Sequence, residues 1–203
     1  MRRDEYCVDD PKTIDGILAK PAIGYLGIVT PDGYPRVVPL NFVTEDRTVF
    51  FHGAVEGEKF TVLYSRPKVT FNVNMPYSFI PSHWLTNDHA GGATMLYQSV
   101  QINGRASVIN DADESARVLQ LLMEKYQPEG NFRPITATEP IYQRLLKETA
   151  VFRIDPDRVE CRVKLAQDKP EATRRKLITL LEERAEGMDL QTAAEIKKTL
   201  GDG

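Results

Sequence analysis

Hydrophobic and polar positions along this chain change period several times, and each change marks an element. Ile23 to Thr30, Arg36 to Thr44 and Thr48 to Ala54 are rich in β-branched and aromatic residues, which predicts three strands. Pro31-Asp32-Gly33 has turn chemistry between the first two, and Glu45-Asp46-Arg47 suits a tight hairpin between the second and third. The simplest arrangement is a three-stranded antiparallel meander. Lys68 to Val73 alternates as a further strand. So does Tyr97 to Ile109, with Ser99, Gln101, Asn103 and Arg105 on one side, Val100, Ile102 and Ala106 on the other, and Gly104 offering a bend. Ala150 to Ile154 and Asp157 to Lys164 supply the last strands, with Asp155-Pro156 as a corner.

Helical spacing takes over elsewhere. Ile14, Ile17 and Leu18 predict a short helix capped by Thr13 and closed by Pro21. Phe60, Val62 and Leu63 predict another, from about Gly57 to Ser65, ended by Pro67. Val118, Leu121, Leu122 and Tyr126 stripe the strongest helix, Asp111 to Tyr126, capped by Asp111 or Asp113. A fourth covers Pro140 to Lys147. Residues 74–96 lose the pattern: Pro76, Pro81 and the polar run from His83 to Gly92 predict a long loop, either a lid or a partner contact. Beyond Gln167 two amphipathic halves separated by Gly187 predict a helical appendage. The expected division is a β domain over residues 1–166 and a helical extension over 167–203.

Composition narrows the class. With 203 residues, 41% hydrophobic and 27% charged, the chain can build a core of its own. A net charge of -3 argues against a general nucleic-acid or anionic-membrane partner. No window is apolar enough to cross a bilayer, and acidic residues follow Met1-Arg2-Arg3 where a signal peptide needs an apolar run. Cys7 and Cys161 lie far apart without metal-finger spacing, which fits a reducing compartment. The expectation is a cytoplasmic protein.

The richest chemistry lies between Arg36 and Phe60. A strand ending in His52-Gly53-Ala54 leads through Gly57 to Lys59 at a helix start, an arrangement suited to an anion because amide N–H groups and an ammonium converge there. Arg36 and Arg105 are further cations for the same charge. His52 is read either as a core histidine or as a ligand contact and acid/base group. Lys59 is either a solvated helix residue or a phosphate contact. Pro39 cannot donate to a ladder, so it marks an edge or a bulge. Asn41 is a turn residue or a ligand contact. His83, Asp88 and His89 lack the i, i+4 spacing of a zinc helix, and no metal is expected. Trp84 either stacks on a ligand or anchors its loop. There is no GxSxG nucleophile elbow, no GxGxxG fingerprint and no P-loop.

The order Gly24-Tyr25-Leu26-Gly27, Pro31-Asp32-Gly33, Val38-Pro39-Leu40-Asn41-Phe42, Phe51-His52-Gly53-Ala54 and Gly57-Glu58-Lys59 resembles the FMN-binding split-barrel superfamily that includes pyridoxamine 5'-phosphate oxidase. Within it the likeness is to the nitroimidazole-resistance-like branch, over about Ile14 to Val163. The resemblance implies a mainly β (α+β) fold, a six-stranded antiparallel split β-barrel with peripheral helices. It also implies a homodimer holding FMN in clefts at the subunit interface. Lys59 and main-chain N–H groups would then meet the phosphate, Val38, Pro39, Leu40, Asn41 and Phe42 the ring, and His52, Gly53 and Ala54 its surroundings. Ser99 and Gln101 would close the site from either chain. The implied activity is reduction of a small, nitroaromatic acceptor with an NAD(P)H donor. The other reading is a non-catalytic flavin or haem binder or redox sensor. Pyridoxamine-phosphate oxidation itself is disfavoured, since Arg158 and Arg162 only loosely resemble that enzyme's arginine-rich substrate motif.

Overall fold

The computed structural model describes residues 4–200. In chain order its strands are β1 (Cys7–Val8), β2 (Gly24–Val29), β3 (Pro35–Leu40), β4 (Val43–Glu45), β5 (Thr48–Ala54), β6 (Lys68–Ile80), β7 (Thr94–Ile109) and β8 (Thr149–Lys164). The α-helices are α1 (Pro11–Ala19), α2 (Glu58–Tyr64), α3 (Ala112–Tyr126), α4 (Gln143–Glu148), α5 (Glu171–Arg184) and α6 (Asp189–Lys198). The strands make an open antiparallel sheet in the order β3-β2-β6-β7-β8-β5-β4, with β1 pairing β8. This is the mainly β, α+β split-barrel class that the resemblance implies. Two short strands, β1 and β4, join the six expected.

Two compact units divide the chain. One comprises residues 11–73 and 101–159; the other comprises, among the described residues, 4–10, 74–100 and 160–200. Strands β6, β7 and β8 each contribute residues to both.

In the first unit the expected meander is corrected. β2 pairs with β3 and β4 with β5, but β5 continues the sheet through β8 and β2 through β6. The predicted strand over 36–44 breaks at Asn41-Phe42 because Phe42 turns inward. Its ring is fully buried, and its N–H and C=O are both engaged by the Tyr126 hydroxyl, at 2.9 and 3.1 Å. The hydroxyl's single proton is shared between that carbonyl and the Ala22 carbonyl at 2.8 Å, so the end of α3 clamps two connections. The β4–β5 hairpin turns on Asp46 and Arg47, both at positive φ (47° and 66°), as a two-residue loop between twisted strands requires. Phe42 and Phe71 meet edge to face at 4.9 Å, and Phe51 stacks on Phe152 at 5.0 Å. Each of these buried rings contributes roughly 1.5–3 kcal/mol relative to exposure.

The alternation along β7 is as predicted: Val100, Ile102 and Ala106 are fully buried while Ser99, Gln101 and Asn103 are half-buried on the opposite side. β7 runs unbroken through Gly104. A Cβ there would stand 2.2 Å from the Asp155 carbonyl oxygen, so glycine permits close backbone approach. β8 likewise runs unbroken through Asp155-Pro156, where a corner was expected. Helix α1 begins at Pro11, a residue suited to a first helical position, so Thr13 lies inside the first turn instead of capping it. Asp111 caps α3, accepting from the Glu114 N–H at 2.8 Å.

In the second unit, the segment expected to be a loop from residue 74 is strand as far as Ile80, and β7 resumes at Thr94. Only 81–93 is irregular, with short 3-10 turns at Ser82–Trp84 and Ala90–Gly92. Ile80, Leu96, Leu177, Leu181 and Ile196 form the core that α5 and α6 complete. Trp84 packs on this core with the Arg184 guanidinium 4.5 Å from its ring, which is the anchoring role. Among the described residues no helix is long and apolar enough to cross a membrane.

Candidate functional site

Edge strand β3 sets the site's outer wall. Pro35 and Pro39 are four apart, so their nitrogens face the same side of the strand. Proline donates nothing to a ladder, so that side is the free edge, and Arg36, Val38 and Leu40 turn their backbone toward β2. Pro39 is therefore an edge residue, one of the two roles expected for it.

The inner wall forms where β5 ends. A side chain at position 53 would have to displace Lys59: a Cβ on Gly53 would lie 2.6 Å from the Lys59 Nζ. Lys59, the second residue of α2, does not point away from the helix into solvent. Its ammonium folds back over the stacked Phe51 and Phe152 rings, 5.9 and 6.0 Å from their centroids. Among the described residues it has no carboxylate partner within ion-pair distance. Partial burial holds its pKa below the usual lysine value.

Lys59, Gly57, Arg36 and Val38 line a cavity of about 220 Å³ together with Ile28 and two carboxylates, Glu56 and Glu58. Arg36 is ion-paired across the mouth to Glu58. Gly57 holds φ at 96°, a conformation open to glycine. Arg36, Val38 and Lys59, three of the residues singled out by sequence, are thus brought together.

The other candidates are placed differently. His52 is solvent-accessible and, by strand alternation, projects from the face of β5 opposite Gly53 and Phe51. The protein mass around it, and secondly the Lys59 charge, push its pKa below 6.5. It is thus not the core histidine of the first alternative. Asn41 is exposed and its amide donates to the Ala22 carbonyl at 3.3 Å, the turn-tying alternative. Leu40 and Phe42 are buried, Pro39 and Ala54 exposed. Ser99 and Gln101 are half-buried on the polar side of β7. Arg105, on that side too, is exposed and does not line the Arg36–Lys59 cavity.

A family model described as pyridoxamine 5'-phosphate oxidase matches residues 10–163. The chain belongs to the pyridoxamine 5'-phosphate oxidase family. Among solved structures it resembles a candidate 5-nitroimidazole antibiotic resistance protein from Bacteroides thetaiotaomicron, with 22% identity and a TM-score of 0.62 over 77% of this chain and 86% of that one. It resembles the flavocytochrome Anf3 from Azotobacter vinelandii (22%, TM-score 0.67, 81% and 72% covered). A third is the FAD and heme binding protein from Mycobacterium smegmatis (15%, TM-score 0.65, 78% and 73%). No curated protein matches the sequence. At these identities the likenesses to solved structures establish a shared fold.

Two features of this family member were not legible beforehand. Tyr126 was visible only as part of an apolar stripe, and nothing local signals that its hydroxyl would hold Phe42. Glu58 read as a helix-start charge, whereas it neutralises Arg36. In the irregular segment the His89 Nδ1 accepts from the Gly91 N–H at 3.1 Å and Asp88 accepts from the Thr86 hydroxyl at 3.2 Å. Among the described residues no group of three His, Cys, Asp or Glu could hold a metal ion. Burial, followed by Asp9 and Cys7, pushes the Cys161 thiol up to about 11, far from a reactive thiolate at neutral pH.

Proposed function

We propose that the protein is an FMN-binding oxidoreductase acting as a homodimer, taking electrons from NAD(P)H and passing them to a small nitroaromatic acceptor. The observation that carries this reading is Lys59, which lines one cavity with Arg36, Val38 and Gly57 and whose ammonium has no carboxylate within ion-pair distance. A half-buried cation without a carboxylate partner suits a phosphate dianion, which gains from charge-assisted hydrogen bonds what it loses in hydration. On the free edge of β3, Pro39 turns its backbone carbonyl away from β2 and offers it to the edge of a flat ring. FMN bound there would supply the electron transfer; the protein supplies position, charge and shelter from water.

At about 220 Å³ the cavity is smaller than the roughly 300–1,000 Å³ that encloses a whole ligand, so it suits the phosphate end while a second chain covers the rest. The outward face of the β2–β3 pair supports that partner. Tyr25, Val29 and Val37 are exposed there beside Pro35 and Pro39, an apolar patch suited to a second copy. Names of structural neighbours bear on the chemistry: one carries nitroimidazole resistance, others FAD. A second reading, a flavin and haem binder without turnover, draws on the flavocytochrome and the FAD and heme binding protein.

The test is the visible spectrum of the purified protein, with the released cofactor identified by mass. Paired flavin bands, an FMN mass and NAD(P)H-dependent loss of a nitroimidazole support the proposal, and Lys59→Ala should then lose FMN. A Soret band without turnover selects the second reading. A colourless protein that refuses added FMN, FAD and haem overturns both.

A further inference from the structure

Helix α4 is six residues long and buries none of them fully. Beneath it lies a cavity of about 500 Å³, within the roughly 300–1,000 Å³ of small-molecule sites. Residues of α4 form one side; the end of β7, the start of α3 and Phe60 of α2 form the others. The whole lining belongs to the unit of residues 11–73 and 101–159, and no residue is shared with the Arg36–Lys59 cavity. Phe60, Ile109 and Leu146 make apolar walls, each half-buried, with the Phe60 ring set edge to face on Phe152 at 6.2 Å. No acidic residue lines the cavity. Two polar groups stand against these walls. Ser115 is 8% exposed, yet among the described residues its hydroxyl has no hydrogen-bond partner. A helical serine can return its hydroxyl to the carbonyl one turn back, but here only the Ser115 N–H bonds to the Asp111 carbonyl, at 3.0 Å. Lys147 is exposed at the open end. Its neighbour Glu148 is taken by Arg144 at 2.8 Å, and among the described residues no carboxylate stands within ion-pair distance of the Lys147 ammonium.

A buried hydroxyl at one end, a cation at the other and apolar walls between them select a molecule that is polar at both ends. We propose that this cavity binds a small aromatic carboxylate with a hydroxyl at its far end. The carboxylate meets Lys147, the ring lies among Phe60, Ile109 and Leu146, and the hydroxyl pairs with Ser115. One cation and no acid in the lining match a single negative charge. The ring gains from leaving water and from the Phe60 face or edge, while the head gains a charge-assisted hydrogen bond that a neutral alcohol cannot match. The Ser115 hydroxyl gains the partner it lacks in the free protein. The inference uses none of the flavin argument. Loss of the charge-assisted contact corresponds to roughly a tenfold or greater loss of affinity, and loss of the neutral one to a several-fold loss.

Isothermal titration of the full chain with p-coumarate, cinnamate and p-coumaryl alcohol tests this. p-Coumarate should bind saturably. Cinnamate, which lacks the hydroxyl, should bind several-fold more weakly, and the uncharged alcohol about tenfold more weakly or not at all. Lys147→Gln should weaken p-coumarate about tenfold. Ser115→Ala should bring p-coumarate down to the affinity of cinnamate and leave cinnamate unchanged, a pattern that a general loosening of the fold would not give. Ala137→Trp, which fills the cavity from a loop position in its lining, should abolish binding; circular dichroism checks that each variant is folded. The proposal is overturned by absence of saturable p-coumarate binding, by an alcohol that binds as tightly, or by unchanged affinity in Lys147→Gln or Ala137→Trp. A preference for p-coumarate over cinnamate that survives Ser115→Ala also overturns it. So does displacement of p-coumarate by FMN, because the cavity would then belong to the flavin site. Failure to bind FMN would sink the flavin reading and leave this titration intact.

Discussion

Lys59 occupies the space that a side chain at Gly53 would need, with its Nζ 2.6 Å from where a Cβ at residue 53 would stand. The close approach explains why a glycine stands one residue before the end of β5 and why the ammonium can lie on the Phe51–Phe152 stack. The obstructing atom is the far end of a flexible side chain, so the fold should survive a methyl group there.

Gly53→Ala is therefore expected to leave the unfolding midpoint nearly unchanged while swinging Lys59 off the aromatic stack. If the cavity holds the FMN phosphate, affinity for FMN should fall about tenfold, the equivalent of one charge-assisted contact. Quenching of flavin fluorescence on titration measures it. Unchanged affinity would mean that Lys59 does not contact the phosphate.

Tyr126→Phe removes one oxygen that serves Phe42 N–H, Phe42 C=O and Ala22 C=O. Phe42 is buried, so its N–H would be left without a partner, at a cost of about 1–3 kcal/mol. Urea denaturation should show the lowered midpoint, and amide exchange at Phe42 should quicken. A variant as stable as the parent would show that water replaces the hydroxyl.

The same clamp shows where sequence reading reached and where it stopped. Alternation along β7 was legible because period two persists over many residues, and the inward set is the set that is buried. The break at Asn41-Phe42 was not, because the group that holds it lies 84 residues away. β6 was read short because Pro76 resembles a stop. Its alternation also shifts phase where adjacent Tyr77 and Ser78 are both buried. At the site, residue types singled out Lys59 and Arg36, which line one cavity. The fold-back of Lys59 over Phe51 and Phe152 depends on β5–β8 pairing, which no local pattern encodes.

His52 provides a pH test. Burial, followed by the Lys59 charge, lowers its folded pKa beneath the ordinary 6.5. The unfolded chain then binds this proton more readily than the folded one. His52 costs nothing above pH 6.5; as pH falls through 6.5 toward the folded value stability declines, and below it the cost is constant. Lys59→Met should raise the His52 pKa toward 6.5 by removing the coulombic part, with burial still lowering it. Imidazole proton shifts in a pH titration read this directly, and an unmoved pKa would show that the Lys59 charge does not reach His52.

Asp189 should dominate acid stability in the C-terminal unit. It is 2% exposed and accepts from Arg184 Nε at 2.6 Å and from the other guanidinium nitrogen at 2.7 Å. Ser78 Oγ at 2.5 Å and the Glu186 N–H at 3.1 Å complete its partners. Arg184 is the leading cause of a carboxyl pKa lowered to about 2, with Ser78 and Glu186 adding to it against the cost of burial. A depressed folded pKa gives stability that is full above 3.8 and is lost as pH falls toward about 2. Asp189→Asn keeps the shape but leaves the half-buried Arg184 guanidinium without its anion, so it should cost about 1–3 kcal/mol at neutral pH. It should also flatten the stability profile between pH 4 and 2, because the titrating group is gone. Chemical denaturation at several pH values tests both, and a parallel acid profile in parent and variant would mean that other carboxylates govern acid unfolding.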